Sequence, residues 1–225
     1  MKPKLINSKN QGSLSGIKVL IFDFWKTLAY SPKKDPKEFY SSLPGFGIEI
    51  TGKEDIKRFS SSFSKLMCFS KNWEDFSQQL LQKFSKKQGE ENITKLANFL
   101  RENIAYKIYD DVKEVLDLPY AKAILTDSAR FLVENSELKD LGRIFTPAET
   151  KALKPDSRVF LTVINEFKIK AEEAVMVGDD IERDLVPAKN LGIKPVLIDR
   201  ENKFQDYQGI RINSFKELKK LLEND

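Results

Sequence analysis

The sequence predicts an α/β fold: a doubly wound parallel sheet with a block of helices inserted near its start. Three observations carry this. Short apolar runs, Ile17 to Phe22 and Ala174 to Val177 among them, each stop at a polar break, as strands buried on both faces do. From Asp110 onward such runs alternate with helical patterns. Before that, residues 37 to 106 keep helical periodicity throughout.

Residues 1 to 16 are polar and read as a loose tail. Strand one spans 17 to 22 and opens into Asp23-Phe24-Trp25-Lys26-Thr27-Leu28. Ser31 to Pro36 is a turn-rich crossing. Ile56, Phe59, Phe63, Leu66 and Met67 share one helical face. Trp73, Phe76, Leu80, Leu81 and Phe84 share a second, with Asn72 as N-cap, and Ile93, Leu96, Ala97, Leu100 and Ile104 a third. Successive amphipathic helices make a small bundle. Then come a helical turn over Asp111 to Leu116, a strand over Ala121 to Leu125, a helix over Arg130 to Leu141 and a short strand at Ile144-Phe145. Lys154 precedes a Pro-started helix over 156 to 167. Val175 to Val177 is a strand, Asp184 to Leu191 a helix closed by Gly192, and Pro195 to Ile198 a strand. Ile210 to Ile212 is an edge strand, and Ser214 with Glu217 a capping box for the last helix.

Composition narrows the chemistry. The chain has 225 residues, 40% of them hydrophobic, enough for one domain with an insertion and a real core. Its formal charge of +4 comes from scattered lysines, which favours small anionic substrates over nucleic acid. No apolar run reaches the ~20 residues of a membrane helix. The start lacks the apolar core of a signal peptide, and the single cysteine, Cys68, allows no intrachain disulfide, so the expected location is the cytoplasm. Oligomeric state is not legible. Histidine is absent, which excludes Ser-His-Asp and Cys-His catalysis and His-ligated metals. Carboxylates, lysine, hydroxyls or a hard cation remain.

Those groups stand at strand ends. Asp23 follows strand one, where α/β sheets place their ligands, and a carboxylate there can attack phosphorus. The Phe24 and Trp25 amides can cradle phosphate oxygens in the loop that follows. Thr126-Asp127-Ser128 follows the second strand; Thr126 offers a hydroxyl, or an N-cap, or both. Lys154, held out of the helical region by Pro155, offers an ammonium to Asp23 and to a phosphoryl group. Gly178-Asp179-Asp180-Ile181-Glu182-Arg183-Asp184 opens a helix. Acids in a first turn also offset the helix dipole, but carboxylates this close repel unless a cation sits among them, and Mg²⁺ suits them.

In this order, D-F-W-K-T-L, T-D-S, L-K-P and V-G-D-D-I-E-R-D resemble the motifs of the haloacid dehalogenase superfamily of hydrolases, over roughly the whole chain past residue 16. The resemblance implies a Rossmann-like core over residues 17–32 and 107–225, with the Asp23 strand at its centre, and a helical cap over 33–106. It implies Asp23 as nucleophile, Thr126 and Lys154 as phosphate contacts, and Thr27 as support. It implies Mg²⁺ on Asp23, the Trp25 carbonyl and Asp179, with Asp180 direct or through water, and Asp184 orienting Lys154 or the loop. One position departs. Phosphatases of the superfamily carry an acid/base Asp where this chain has Trp25; Asp127 is a candidate substitute. An aromatic residue there resembles the 2-haloacid dehalogenases, which displace halide without metal but lack the G-D-D acids and carry Asn in place of Asp127. Lys26 stands where both branches have Gly. Three readings follow: a Mg²⁺-dependent phosphatase of a small phosphorylated metabolite, a 2-haloacid dehalogenase, and a non-catalytic binder of a phosphorylated ligand or a protein.

Overall fold

A computed structural model describes residues 14–32, 36–134, 138 and 141–224. Its main sheet is built from β1 (Val19–Phe22), β4 (Ala121–Leu125), β5 (Arg143–Phe145), β6 (Ala174–Gly178), β7 (Lys194–Ile198) and β8 (Ile210–Ile212), all parallel, in the order β5-β4-β1-β6-β7-β8. A ribbon of β2 (Ala29–Tyr30) and β3 (Lys107–Ile108) pairs antiparallel. Between these two short strands lie α1 (Pro36–Ser42), α2 (Lys53–Phe69), α3 (Trp73–Phe84) and α4 (Glu90–Asn103). The ribbon brings both ends of this helical segment to one stem. Two residues per strand carry no readable alternation, which is why the sequence does not announce it.

The helices α5 (Lys113–Leu116), α6 (Arg130–Val133), α7 (Pro147–Thr150), α8 (Ser157–Phe167), α9 (Val186–Asn190) and α10 (Phe215–Glu223) cover the sheet. Alternate side chains of β1 face opposite layers. Leu20 and Phe22 pack with Val115 of α5 and with Phe215, Leu218 and Leu222 of α10. Val19 and Ile21 pack with Val159, Phe160, Val163 and Ile164 of α8. Each such side chain contributes about 1.5–3 kcal/mol by leaving water. A third cluster lies in the helical segment, from Phe59 and Met67 through Phe76, Leu80 and Leu81 to Leu96 and Leu100, and takes in Leu132 of α6. Trp25 and Tyr106 pack against both this cluster and the first.

Several sequence expectations need correction. Of the tail, residues 1–13 lie outside the described residues, but Leu14 is buried in the sheet core and the Ser15 carbonyl accepts from Lys194 at 2.7 Å. The strand expected from Ile17 begins at Val19. The helix expected over 130 to 141 holds only to Val133. Glu134 is extended, and the Asn135-Ser136 side chains that follow in sequence compete for backbone groups; residues 135–137 and 139–140 lie outside the described ones. Pro155 does not open α8, which starts at Ser157 with Asp156 as its N-cap, accepting from the Arg158 amide at 2.9 Å. Ser214 forms no side-chain cap; Glu217 takes the Asn213 amide at 3.0 Å and Asp111 takes the Phe215 amide at 2.9 Å. Asn72 does cap α3, accepting from the Asp75 amide at 2.7 Å.

Candidate active site

Parallel strands in register deliver their successors to one edge. Phe22 stands opposite Ile124 of β4 and Val177 of β6. Asp23, Thr126 and Asp179 therefore leave the sheet on the same side. The Asp23 amide donates to the Val177 carbonyl at 2.9 Å, extending the pairing one residue and fixing the backbone from which the carboxylate springs.

Lys154 enters from the turn before α8. Its ammonium donates to Asp23 Oδ1 at 2.5 Å and to Asp184 Oδ1 at 2.6 Å. These side chains are 5%, 10% and 1% exposed, so water does little to screen them. Burial alone pushes the ammonium pKa down; Asp23 and Asp184 outweigh it and hold the group above the ordinary lysine value, a fixed cation. Burial first, then the Asp23 charge, pushes the Asp184 carboxyl up to about 7, against the pull of Lys154. Asp179 is raised by burial and then by Asp23.

One carboxylate oxygen from each of Asp23, Asp179 and Asp184 lies within 4.8 Å of the others. Lys154 supplies one buried positive charge against these acids. A surplus of hard oxygen donors over charge is what a divalent cation such as Mg²⁺ takes, so the residues fit one. Gly178 makes room for the arrangement: a Cβ there would lie 2.4 Å from Asp184 Oδ2.

Asp180 is not part of this group; its Oδ1 accepts from the Glu182 and Arg183 amides at 3.0 Å each. Those bonds cap a π-helical turn over Ile181–Leu185, where the sequence had suggested a plain helix from Asp184. Pro187 has no amide to give the Arg183 carbonyl, so α9 begins only at Val186.

Asp127 is engaged on both oxygens. Oδ1 accepts from the Lys154 amide at 3.0 Å and Oδ2 pairs with the Arg183 guanidinium. Burial raises its pKa, with Lys154 and Arg183 opposing. Thr126 is buried, and its Oγ accepts from the Ser128 amide at 3.1 Å. The Phe24 ring is buried, leaving only its backbone to the site. The Thr27 carbonyl accepts from Arg200 at 2.8 Å, which ties the loop to Asp111, two bonds of 3.0 Å away on the same guanidinium.

Trp25 lines the same pocket as the acids, and its indole is bonded to a hydroxyl there. Its Nε1 donates to Ser128 Oγ at 2.8 Å, and its ring meets Phe24 and Tyr106 edge-on at 5.1 and 6.1 Å. Lys26 holds a left-handed backbone, φ 57°, at a cost of about 1–2 kcal/mol that glycine would avoid. Its ammonium stands 3.5 Å from Asp179 Oδ2. Sequence reasoning gave no role to Arg183 or Ser128; both lie inside quoted motifs, and Arg183, the only cation in the D-D-I-E-R-D run, was the readable signal. The pocket so formed holds about 170 Å³ and shares Lys26, Asp179 and Asp180 with a neighbouring cleft of about 400 Å³.

The chain matches the haloacid dehalogenase-like hydrolase family over residues 17–192. It is 35% identical over 106 residues to the phospholysine phosphohistidine inorganic pyrophosphate phosphatase of Xenopus laevis, covering 43% of this chain and 39% of that protein. It thus spans about two fifths of that relative's length. Among solved structures, a HAD phosphatase from Thermococcus onnurineus superposes with TM-score 0.62 at 22% identity, covering 92% of this chain and 98% of that one. A 2-haloacid dehalogenase from Pseudomonas syringae pv. tomato superposes with TM-score 0.64 at 17% identity, covering 92% and 99%. Both show the fold alone, and the fold does not separate the two chemistries. With the matched span running from just before β1 to just after α9, this chain belongs to the haloacid dehalogenase-like hydrolases.

Proposed function

We propose that this chain is a Mg²⁺-dependent phosphatase that acts on a small phosphorylated metabolite through an aspartyl-phosphate on Asp23. The observation that carries the reading is the buried Asp23, Lys154 and Asp184 cluster with Asp179 beside it. The sequence likeness to a named phosphatase supports it.

An Asp23 oxygen bonds to phosphorus as the bond from phosphorus to the leaving oxygen breaks, and the electron pair departs with the leaving group. Lys154 holds Asp23 in place and sets a fixed positive charge beside the phosphoryl oxygens. The Thr126 hydroxyl, already accepting from Ser128, keeps its proton for one of those oxygens. The Phe24 and Trp25 amides hold others. Asp23, Asp179, Asp184 and the Trp25 carbonyl would hold Mg²⁺, which when bound neutralises phosphoryl charge. Asp180, occupied as a cap, would reach it only through water. Water then attacks phosphorus and passes a proton to an oxygen of the phosphate that forms, the bond to Asp23 breaks, and the carboxylate is restored.

The proton for the leaving group is the weak point. Indole donates none to catalysis, and Asp127 is tied to Lys154 and Arg183. Substrates that leave as stable anions, acyl or aryl phosphates, are therefore favoured. Alkyl phosphates should be slower by roughly 10²–10⁴-fold, the usual worth of a general acid.

Residues 33–106 are read as the cap and 17–32 with 107–225 as the core. Trp73 against Phe131 at 4.9 Å, and Trp25 with Tyr106, seat the helices beside the pocket. No helix among the described residues is long and apolar enough to cross a membrane. The cytoplasm is the location we propose, from the single cysteine.

The test is hydrolysis of an aryl phosphate with Mg²⁺ and with chelator. Chelation should abolish it; metal-independent turnover would defeat the reading. Trp25 favours a second reading, 2-haloacid dehalogenation, which halide release would establish. Against that, the two arginines of residues 37–106 are engaged elsewhere: Arg101 with Glu74 at 3.1 Å, and Arg58 over the Phe84 ring at 5.5 Å. Tight phosphate-analogue binding without turnover on either substrate class would point to a non-catalytic binder.

A further inference from the structure

We propose that Lys26 competes with the divalent cation for Asp179 and so sets how tightly this site takes its metal. The proposal rests on the metal reading above. It comes from geometry that the motif alone does not contain. The left-handed turn at residue 26 projects the side chain over the acid corner, and its ammonium lies 3.5 Å from Asp179 Oδ2. Asp179 is one of the three carboxylates that converge within 4.8 Å, and Lys26 is the cation paired with it among the described residues, since Lys154 serves Asp23 and Asp184.

A carboxylate oxygen cannot fully serve an ammonium and a divalent ion together. A cation held by Asp179 must either displace the Lys26 ammonium or sit close to a like charge. Displacement is open to Lys26. Its side chain is 75% exposed, and it lines the neighbouring 400 Å³ cleft as well as the reaction pocket, so it has room to swing aside. Exposure also limits the size of the effect, because solvent screens the pair. The result is a site whose metal affinity is lowered by about three- to tenfold relative to the same carboxylates without Lys26.

Calorimetric titration of Mg²⁺ into the full chain tests this without reference to turnover. Four proteins are compared: the unaltered chain, Lys26→Met, Lys26→Gly and Lys26→Arg. Met keeps the length and the backbone strain but removes the charge; Gly removes both charge and strain; Arg keeps both. Lys26→Met and Lys26→Gly should each bind Mg²⁺ about three- to tenfold tighter, Lys26→Arg should stay with the unaltered chain, and high salt should narrow the gap. Equal affinity in the unaltered chain and Lys26→Met overturns the competition and leaves the metal site standing. Tightening in Lys26→Gly alone assigns the effect to backbone relief and overturns it as well. No Mg²⁺ binding in any of the four, with folding verified by circular dichroism, overturns both this proposal and the metal reading.

Discussion

Asp23 and Trp25 are two residues apart, yet they belong to regions held together by different forces. Asp23 enters a polar edge where Lys154, from 131 residues away, bonds it at 2.5 Å and where three acids converge. Trp25 enters an aromatic joint, packed against the sheet core and the helical segment together. The helical segment is held by rings: Phe39, Phe63 and Phe76 meet edge-on at 5.9 and 4.8 Å in a chain of contacts through Phe63. Charge fixes the first region through a few directional bonds. Burial fixes the second through many weak ones. The difference teaches that position 25 is more than a missing acid. It joins the helices to the sheet, and its indole hydrogen bond to Ser128 holds the loop that carries Thr126.

The comparison breaks most sharply at Asp23. Under the phosphatase reading, Asp23→Asn should lower aryl phosphate turnover by roughly 10⁴–10⁶-fold with folding retained, as removal of a nucleophile does. Steady-state kinetics beside a thermal melt would show it, and near-normal turnover would remove Asp23 from the chemistry. Lys154→Met should cost about 3–5 kcal/mol in chemical denaturation, because it leaves Asp23 and Asp184 buried without their shared cation. A loss under 1 kcal/mol would mean that the polar edge contributes little to the fold.

Trp25→Asp sharpens the contrast from the other side. Under the phosphatase reading it should raise, or at least not destroy, activity, since it restores an acid/base where phosphatases of the superfamily carry one. It should also destabilise the chain by roughly 1–3 kcal/mol, since it empties a half-buried aromatic joint. Loss of activity in a folded protein would make the indole itself necessary.

The smallest effect lies in pH. A carboxyl raised from its ordinary 3.8 to about 7 favours the folded state while protonated, so the Asp184 contribution is present at low pH and declines as pH rises from about 4 through about 7. Asp184→Asn should flatten that part of the stability profile. Melting temperatures that change equally with pH in both proteins would refute the assignment.

Much of this was legible in the chain. Each of Asp23, Thr126 and Asp179 follows an apolar run, and a polar break after a buried strand is a local pattern that needs no knowledge of partners. The six-stranded parallel order, the helical segment and the pairing of Lys154 with both Asp23 and Asp184 all accord with that reading. Boundaries suffered at Pro155, where Asp156 supplies the cap one residue later, and at Ser214, where the Phe215 amide goes to Asp111, 104 residues away in sequence.

The sequence by itself determined which chemical groups stand at the sheet edge, because alternation and strand ends are properties of neighbouring residues. Only the tertiary structure decided which of them meet: Asp184 rather than Asp180 in the carboxylate cluster, Arg183 on Asp127, Lys26 over Asp179, and Trp25 between two cores. The reason is range. Strand register and interhelical packing bring together residues far apart in sequence, and a charge or a ring finds its partner only once those elements are in place.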